Sequence, residues 1–235
     1  MPESSIHVLY ESGPCLAVLK PAGLATQAPP GIDSLEARIK ALLAARNPQH
    51  EAIYLAVPHR LDRPVSGAMI FATRRRAAHK ISLQFERREV RKTYWACVEG
   101  GVSPAEGTWI DHVRKVYGHP KAEIVPADHP EARRAVLHYR TLGRTTWGSW
   151  LEIELETGRT HQIRLQAASR GHPVLGDAFY GGGVPFGVQH VDERLRAIAL
   201  HGRSLSFRDP STKEIVTVTA PLPEAWQALA LPRAN

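Results

Sequence analysis

The sequence predicts an α+β fold: a mixed, largely antiparallel central sheet flanked by helices, forming one domain over residues 1–235. Two observations carry this. Strand-like segments outnumber helical ones, and the two kinds rarely alternate strictly, as a doubly wound parallel sheet would require. A chain of 235 residues with 43% hydrophobic and 23% charged side chains also has the composition of one large folded core.

The elements follow in order. Residues 6–20 alternate loosely and run into Lys20-Pro21-Ala22-Gly23, a strand ending in a turn. Asp33, with Glu36 three residues on, has the form of a capping box. It opens an amphipathic helix with Leu35, Ile39, Leu42 and Leu43 on one face, stopped near Asn47-Pro48. Residues 52–57 read as a short strand, 58–67 as a polar, proline-punctuated loop, and 68–72 as a second strand. Thr73 caps a basic helix whose apolar stripe is Ala77, Ala78, Ile81 and Phe85. Residues 92–98 form a strand with Tyr94, Ala96 and Val98 on one side and Thr93, Trp95 and Cys97 on the other. The stretch 100–130, rich in Gly, Pro and His, reads as short strands and loops. Residues 135–142 and 150–157 are strand-like; in the second, Leu151, Ile153 and Leu155 alternate with Glu152, Glu154 and Glu156. Thr160 caps a helix through Ser169, ended by Gly171. Strands over 199–207 and 214–220 and a short helix over 224–229 complete the chain.

The 30 basic and 23 acidic residues leave a net charge of +7, and it is concentrated. Between His59 and Lys92 lie ten Lys/Arg against Asp62, Glu86 and Glu89, so the remainder of the chain balances. Most of these are arginine, which forks onto phosphate oxygens and stacks on bases. Such a stretch is the footprint of a polyanion binder, although on charge alone a solvated helix face fits equally well. No run approaches the ~20 apolar residues of a membrane span, and the N-terminus has no secretory pattern. The two cysteines, Cys15 and Cys97, are far apart, which argues against a disulfide framework or thiolate zinc cluster. A reduced, cytoplasmic protein is expected.

Several chemistries have no motif here: G-x-G-x-x-G after a strand, the P-loop, H-E-x-x-H, G-x-S-x-G, and the deaminase pattern H-x-E with P-C-x-x-C. The 12 histidines lack paired ligand spacing, so no metal site is expected.

Two segments carry chemistry. His59-Arg60-Leu61-Asp62-Arg63-Pro64-Val65-Ser66-Gly67 sets one carboxylate between two arginines in a stiffened loop. Taken alone, it reads first as a structural ion pair. Gly158-Arg159-Thr160-His161-Gln162-Ile163-Arg164 ends a strand and opens a helix at Thr160, pointing unpaired backbone N–H groups and two arginines at one place, which suits an anion. A well-capped helix with snorkelling arginines fits it too.

These residues resemble the RluA-type family of RNA pseudouridine synthases. Its signature H-R-L-D-x-x-[ST]-S-G is matched at 59–67 except at Val65, and its G-R-T-H-Q-I-R is matched throughout at 158–164. The resemblance extends to Lys20-Pro21-Ala22-Gly23-Leu24, Arg91-Lys92-Thr93-Tyr94, Val98-Glu99-Gly100, 171–177, Tyr180-Gly181-Gly182 and Leu200-His201-Gly202. It implies the pseudouridine synthase fold and isomerisation of a specific uridine in rRNA or tRNA after base flipping, without a cofactor. It implies Asp62 as the catalytic aspartate, Arg164 as its basic partner, and Tyr94 as the tyrosine that stacks on the uracil. Arg60 matches the residue that occupies the vacated space.

The RNA-binding set expected from the two motifs and the basic helix is His59, Arg60, Arg63, Arg74, Arg75, Arg76, Arg159, Thr160, His161 and Gln162. Val65 replaces a hydroxyl residue, which removes one side-chain hydrogen bond. Too few residues precede Lys20 for the N-terminal S4-type RNA-binding module of many relatives, so selection is expected from the catalytic domain, acting as a monomer. Two rivals are a non-catalytic RNA-binding factor that kept the fold and a glycosylase that cleaves without rejoining.

Overall fold

The computed structural model describes residues 6–49 and 53–231. Along the chain run β1 (Val8–Ser12), β2 (Cys15–Lys20), α1 (Leu35–Arg46), β3 (Ser66–Ala72), α2 (Arg75–Glu86) and β4 (Arg91–Glu99). They are followed by β5 (Glu106–Lys115), β6 (Ala122–Ile124), β7 (Arg133–Arg144), β8 (Gly148–Leu155), α3 (Gln162–Ala168), β9 (Leu200–Arg208) and β10 (Ile215–Thr219). Single 3-10 turns lie at Ala178–Tyr180, Glu193–Leu195 and Glu224–Leu229. The strand pairs with a described register are all antiparallel. Among the described residues no helix is long and apolar enough to cross a membrane. The chain folds into two compact units, Met1–Lys92 with Gly202–Leu222, and Thr93–His201 with Pro223–Asn235.

In the first unit the strands order β1-β2-β3-β9-β10. The centre is β3, SGAMIFA, buried at all seven positions because both faces are covered. Ala68, Ile70 and Ala72 share one face with Ala17 of β2 and Leu205 and Phe207 of β9, and α2 seals it with Ala77, Ala78 and Ile81. The opposite face carries Met69 and Phe71, where Thr26 Oγ1 lies 3.7 Å from the Met69 sulfur. Small residues at 68, 72, 77 and 78 let helix and sheet approach closely.

In the second unit the order is β4-β8-β7-β5-β6. Trp95 sits opposite Glu152, and Tyr139 opposite both Ile153 and Gly107. The predicted alternation of β8 holds at Leu151 and Ile153, which are buried, and Glu154, which is exposed, while Glu152, Leu155 and Glu156 are all half-buried. A short segment, 173–175, lies along β4 through the Val98–Val174 bridge, with Leu175 N donating to Cys97 O (3.0 Å). Leu165 of α3 packs with Val113, Ala122 and Ala135. Cys15 and Cys97 are free, and burial pushes both thiols up to about 12, so neither is a ready nucleophile.

Several boundaries differ from the sequence reading for local reasons. Residues 6–20 form two strands, because Gly13 (φ +50°) turns the chain back on itself. The α1 cap is Ser34, whose Oγ accepts from Ala37 N (3.2 Å), while Asp33 pairs with Arg38 and Glu36 with Lys40. Of the expected strand over 52–57, only the Ala56–Ala72 bridge forms; residue 52 lies outside the described residues. Arg74 caps α2 with no side-chain bond, in place of Thr73. Within 100–130 the chain makes a hairpin, β5 with β6. The α3 helix starts at Gln162, capped by His161 in the left-handed region (φ +53°), and has seven residues. The helix-terminus anion site expected at Thr160 is therefore not built.

Gly67 is fixed by space. Its φ is +140°, and a Cβ there would lie 2.5 Å from Gly202 Cα. Gly67→Ala should therefore destabilise the protein by at least ~2 kcal/mol, read from the urea midpoint. An unchanged midpoint would show that β3 and β9 can separate freely at this point.

Candidate active site

Asp62 sits in a loop whose backbone is held on both sides of it. Leu61 O accepts from Thr26 Oγ1 (2.8 Å), and the same hydroxyl receives Leu61 N (3.3 Å). Arg63 O accepts from Gly23 N (2.8 Å) and from Lys20 Nζ (3.1 Å). Asp62 O closes the turn by accepting Val65 N (3.0 Å). Upstream, His59 Nε2 accepts Ile70 N (3.0 Å), and its ring stacks on Phe85 at 4.8 Å. The imidazole thus takes the place of a strand carbonyl beside β3. Burial, with the Lys92 charge adding to it, lowers His59 to about 3, so the ring stays neutral and keeps its acceptor.

Lys20 is fully buried, and its ammonium donates to Leu24 O (2.7 Å), Pro21 O (2.9 Å) and Arg63 O (3.1 Å). Three donors meet three acceptors. Burial pulls the group down to about 7, while the Asp62 carboxylate opposes the fall and Arg63 adds to it. Below pH 7 Lys20 thus holds its charge beside the Asp62 loop, and above it the native lysine gives the proton up.

In the second unit, Arg164 projects from α3 and forks onto Asp177: Nε to Oδ2 at 2.6 Å and a terminal nitrogen to Oδ1 at 2.7 Å. The two side chains are 6% and 1% exposed, so this pair is desolvated. Asp177 heads the Ala178–Tyr180 turn and fixes it, its carbonyl accepting Tyr180 N (3.1 Å) and Gly182 N (2.9 Å). The Arg164 guanidinium lies 5.1 Å from the Tyr180 ring centroid and 5.7 Å from that of Phe179. Tyr180 Oη meets His161 Nδ1 (2.9 Å) and receives Ala122 N (3.1 Å). Glu99 Oε1 accepts Gly183 N (2.7 Å) and Val184 N (2.8 Å), tying the following glycines to β4. Tyr94 is 8% exposed on β4, opposite Ile153.

The remaining sequence candidates divide by environment. Arg60, Arg74, Arg75 and Arg76 are exposed, with Arg75 5.9 Å from the Tyr54 ring centroid; Arg63 is half-buried. Thr160 is exposed, and Arg159 reaches Arg134 O (3.0 Å). Gln162, expected to face RNA, is buried and engages both ends of its amide internally, with Thr157 and Arg159 at Oε1 and Gln166 at Nε2. His59 is likewise turned to internal partners. Lys20, Thr26, Glu99 and Asp177 were not among the site candidates. Lys20, Glu99 and Asp177 lie within the motifs the resemblance covers, whereas nothing local marks Thr26. No cluster of potential metal ligands occurs among the described residues.

Residues 15–169 match the family described as RNA pseudouridylate synthase. The chain belongs to that family. A pseudouridylate synthase is an isomerase, and the RluA-type motifs lie within this membership. Ribosomal large subunit pseudouridine synthase D of Xanthomonas campestris is 34% identical over 231 residues, covering 95% of this chain and 68% of that protein. tRNA pseudouridine synthase C of Vibrio cholerae is 30% identical over 236 residues, covering 95% and 94%. The structure of human RNA pseudouridylate synthase domain containing 4 superposes with a TM-score of 0.78 at 22% identity, over 97% of this chain and 95% of that one, and so shares the fold.

The Lys20 environment makes a pH prediction. Between pH 7 and 10.5 the unfolded lysine keeps a proton that the native one releases, so this group makes stability rise with pH by up to ~1.4 kcal/mol per unit. Below pH 7 both states hold the proton and the contribution is flat. The unfolding free energy of the parent minus that of Lys20→Met should thus grow between pH 7 and 10 in urea titrations. Parallel curves would show that Lys20 keeps its ordinary basicity.

Proposed function

We propose that the protein isomerises uridine to pseudouridine in a structured RNA, with Asp62, Arg164 and Tyr94 as its catalytic residues and the chain acting as a single catalytic domain. The observation that carries this reading is the clamp on both neighbours of Asp62, which holds a carboxylate in place ahead of the substrate. The named relatives act on ribosomal RNA and on tRNA, and these are the substrate classes proposed here. Two free, buried cysteines suit a reducing compartment, and the cytoplasm is the proposed place of action.

The reaction breaks the C1′–N1 bond, turns the uracil and joins C1′ to C5; C5 loses a proton and N1 gains one, so no atom or electron is supplied from outside. Asp62 starts it in one of two ways, attacking C1′ or removing a sugar proton to give a glycal, and both require the ionised carboxylate near the sugar. A stacked uridine is out of reach, so it is flipped from its helix, with Arg60, exposed beside Leu61, filling the gap. Tyr94 stacks on the flipped uracil. Arg164, held rigid by Asp177, supplies positive charge to Asp62 in a site that closes over the base.

Asp62→Ala should abolish pseudouridine formation, read by nucleoside chromatography of digested RNA, while leaving RNA binding intact; residual full activity would remove the mechanism. Release of free uracil by the parent would instead favour the glycosylase. Arg164→Met leaves Asp177 buried without its fork and should cost ~3–5 kcal/mol of stability. Arg164→Met with Asp177→Leu should restore most of that stability and still lack normal activity, with the acid limb of its pH–rate profile moved to higher pH. A fully active double variant would reduce Arg164 to a scaffold.

The exposed arginines at the start of α2 should act through phosphates. Replacing Arg74, Arg75 and Arg76 by Gln should weaken RNA binding and flatten the dependence of log affinity on log salt by up to ~0.7–0.9 per lost contact. An unchanged slope would turn this helix away from RNA.

A further inference from the structure

Phe179 is the residue in the Ala178–Tyr180 turn that the mechanism leaves unused, and its setting is unusual for an apolar side chain. The ring is 48% exposed. Its position is nonetheless fixed: its edge contacts are Tyr180 (5.2 Å, 77°) and His161 (6.1 Å, 84°), and its turn is headed by the Asp177 that grips Arg164. Two cations lie over the ring, the Arg164 guanidinium 5.7 Å and Lys121 Nζ 5.8 Å from its centroid. Lys121 is exposed at the end of the β5–β6 hairpin, where Val116 N meets Lys121 O (2.9 Å), and makes no ion pair among the described residues. The hairpin is bound to the turn through Ala122 N and Tyr180 Oη, so lysine and ring keep a set separation. A single exposed phenylalanine is ordinary. A rigid one beside a buried arginine and a lysine without a carboxylate is the arrangement that stacks a nucleobase and neutralises the phosphate next to it.

We propose that Phe179 is a stacking platform for an unpaired base flanking the target nucleotide, with Lys121 receiving that nucleotide's phosphate. This deepens the pseudouridine synthase reading and rests on it for the identity of the polymer. Stacking on a ring is indifferent to which base is presented but demands that the base be unpaired. The platform therefore selects a loop or bulge around the target and disfavours continuous duplex.

The test uses the full chain and a fluorescein-labelled single-stranded decauridylate, titrated over a range of salt concentrations. Phe179→Ala should weaken binding by about fivefold or more with an unchanged salt slope, and Phe179→Trp should restore it. Lys121→Gln should lower the slope by ~0.7, the signature of one phosphate contact to a single strand. Wild-type affinity in Phe179→Ala, failure of Phe179→Trp to rescue, or no binding by the parent would each overturn the proposal. Pseudouridine formation in total cellular RNA is measured alongside. Parent activity with unaltered Phe179→Ala binding would sink the platform alone, and intact platform behaviour with no pseudouridine would sink the enzymatic reading alone.

Discussion

Three backbone carbonyls converge on Lys20 Nζ, two from the turn that ends β2 and one from the residue after Asp62. Desolvating an ammonium costs several kcal/mol, and a well-packed leucine would avoid that cost. Leucine, however, would take the lysine donor from the Pro21 and Leu24 carbonyls, each at ~1–3 kcal/mol, and leave Arg63 O with Gly23 N alone. The lysine therefore binds two distant chain segments where an apolar residue would separate them. Thr26 does the same on the other side, donating to Leu61 O and accepting Leu61 N with one hydroxyl. With both neighbours of Asp62 tied, the loop backbone has little freedom left. The entropy of fixing that loop is spent on folding and not at the moment of reaction.

Arg164 follows the same logic with a carboxylate in place of carbonyls. An unpaired buried guanidinium would be costly and mobile, whereas a fork onto Asp177 fixes its plane through two parallel bonds. Asp177 is itself the first residue of a turn whose backbone it closes, so the charge and the turn are set together. The sequence reading gave Arg164 a single carboxylate, Asp62. The structure gives it Asp177, and that carboxylate accounts for the arginine's burial.

What the sequence made legible was whatever is periodic or contiguous. The burial of β8, the α2 stripe at Ala77, Ala78 and Ile81, and the strand carrying Tyr94 all follow from alternation over a few residues. Motif runs located Asp62 and Arg164. Interactions joining residues far apart in sequence left no local trace: Thr26 to Leu61, Lys20 to Arg63, and Glu99 to the amides of Gly183 and Val184. Caps were misread where two candidates adjoin. Ser34 took the role assigned to Asp33 because Asp33 had a nearer arginine, and His161 entered the left-handed region that displaced the start of α3 from Thr160 to Gln162. His59 and Gln162 look like ligand-facing polar residues in a motif. Their burial emerges only once β3 and Thr157 are in place beside them.

The charged residues thus separate by the work their solvation permits. Lys20, Arg164 and Asp177 are dehydrated and each satisfied by fixed partners, so they act through position, and their effect is insensitive to bulk salt. Arg74, Arg75 and Arg76 remain hydrated at a helix start that has no acidic residue in its first turn, so their charges stay available to a polyanion. Exchanging the two sets would fail in both directions. A hydrated arginine in the place of Arg164 would sample many orientations, and a forked, buried one on α2 would have no counterions to release. Chemistry on one nucleotide of a long polymer needs both kinds, one to hold the reacting group still and the other to hold the chain that carries it.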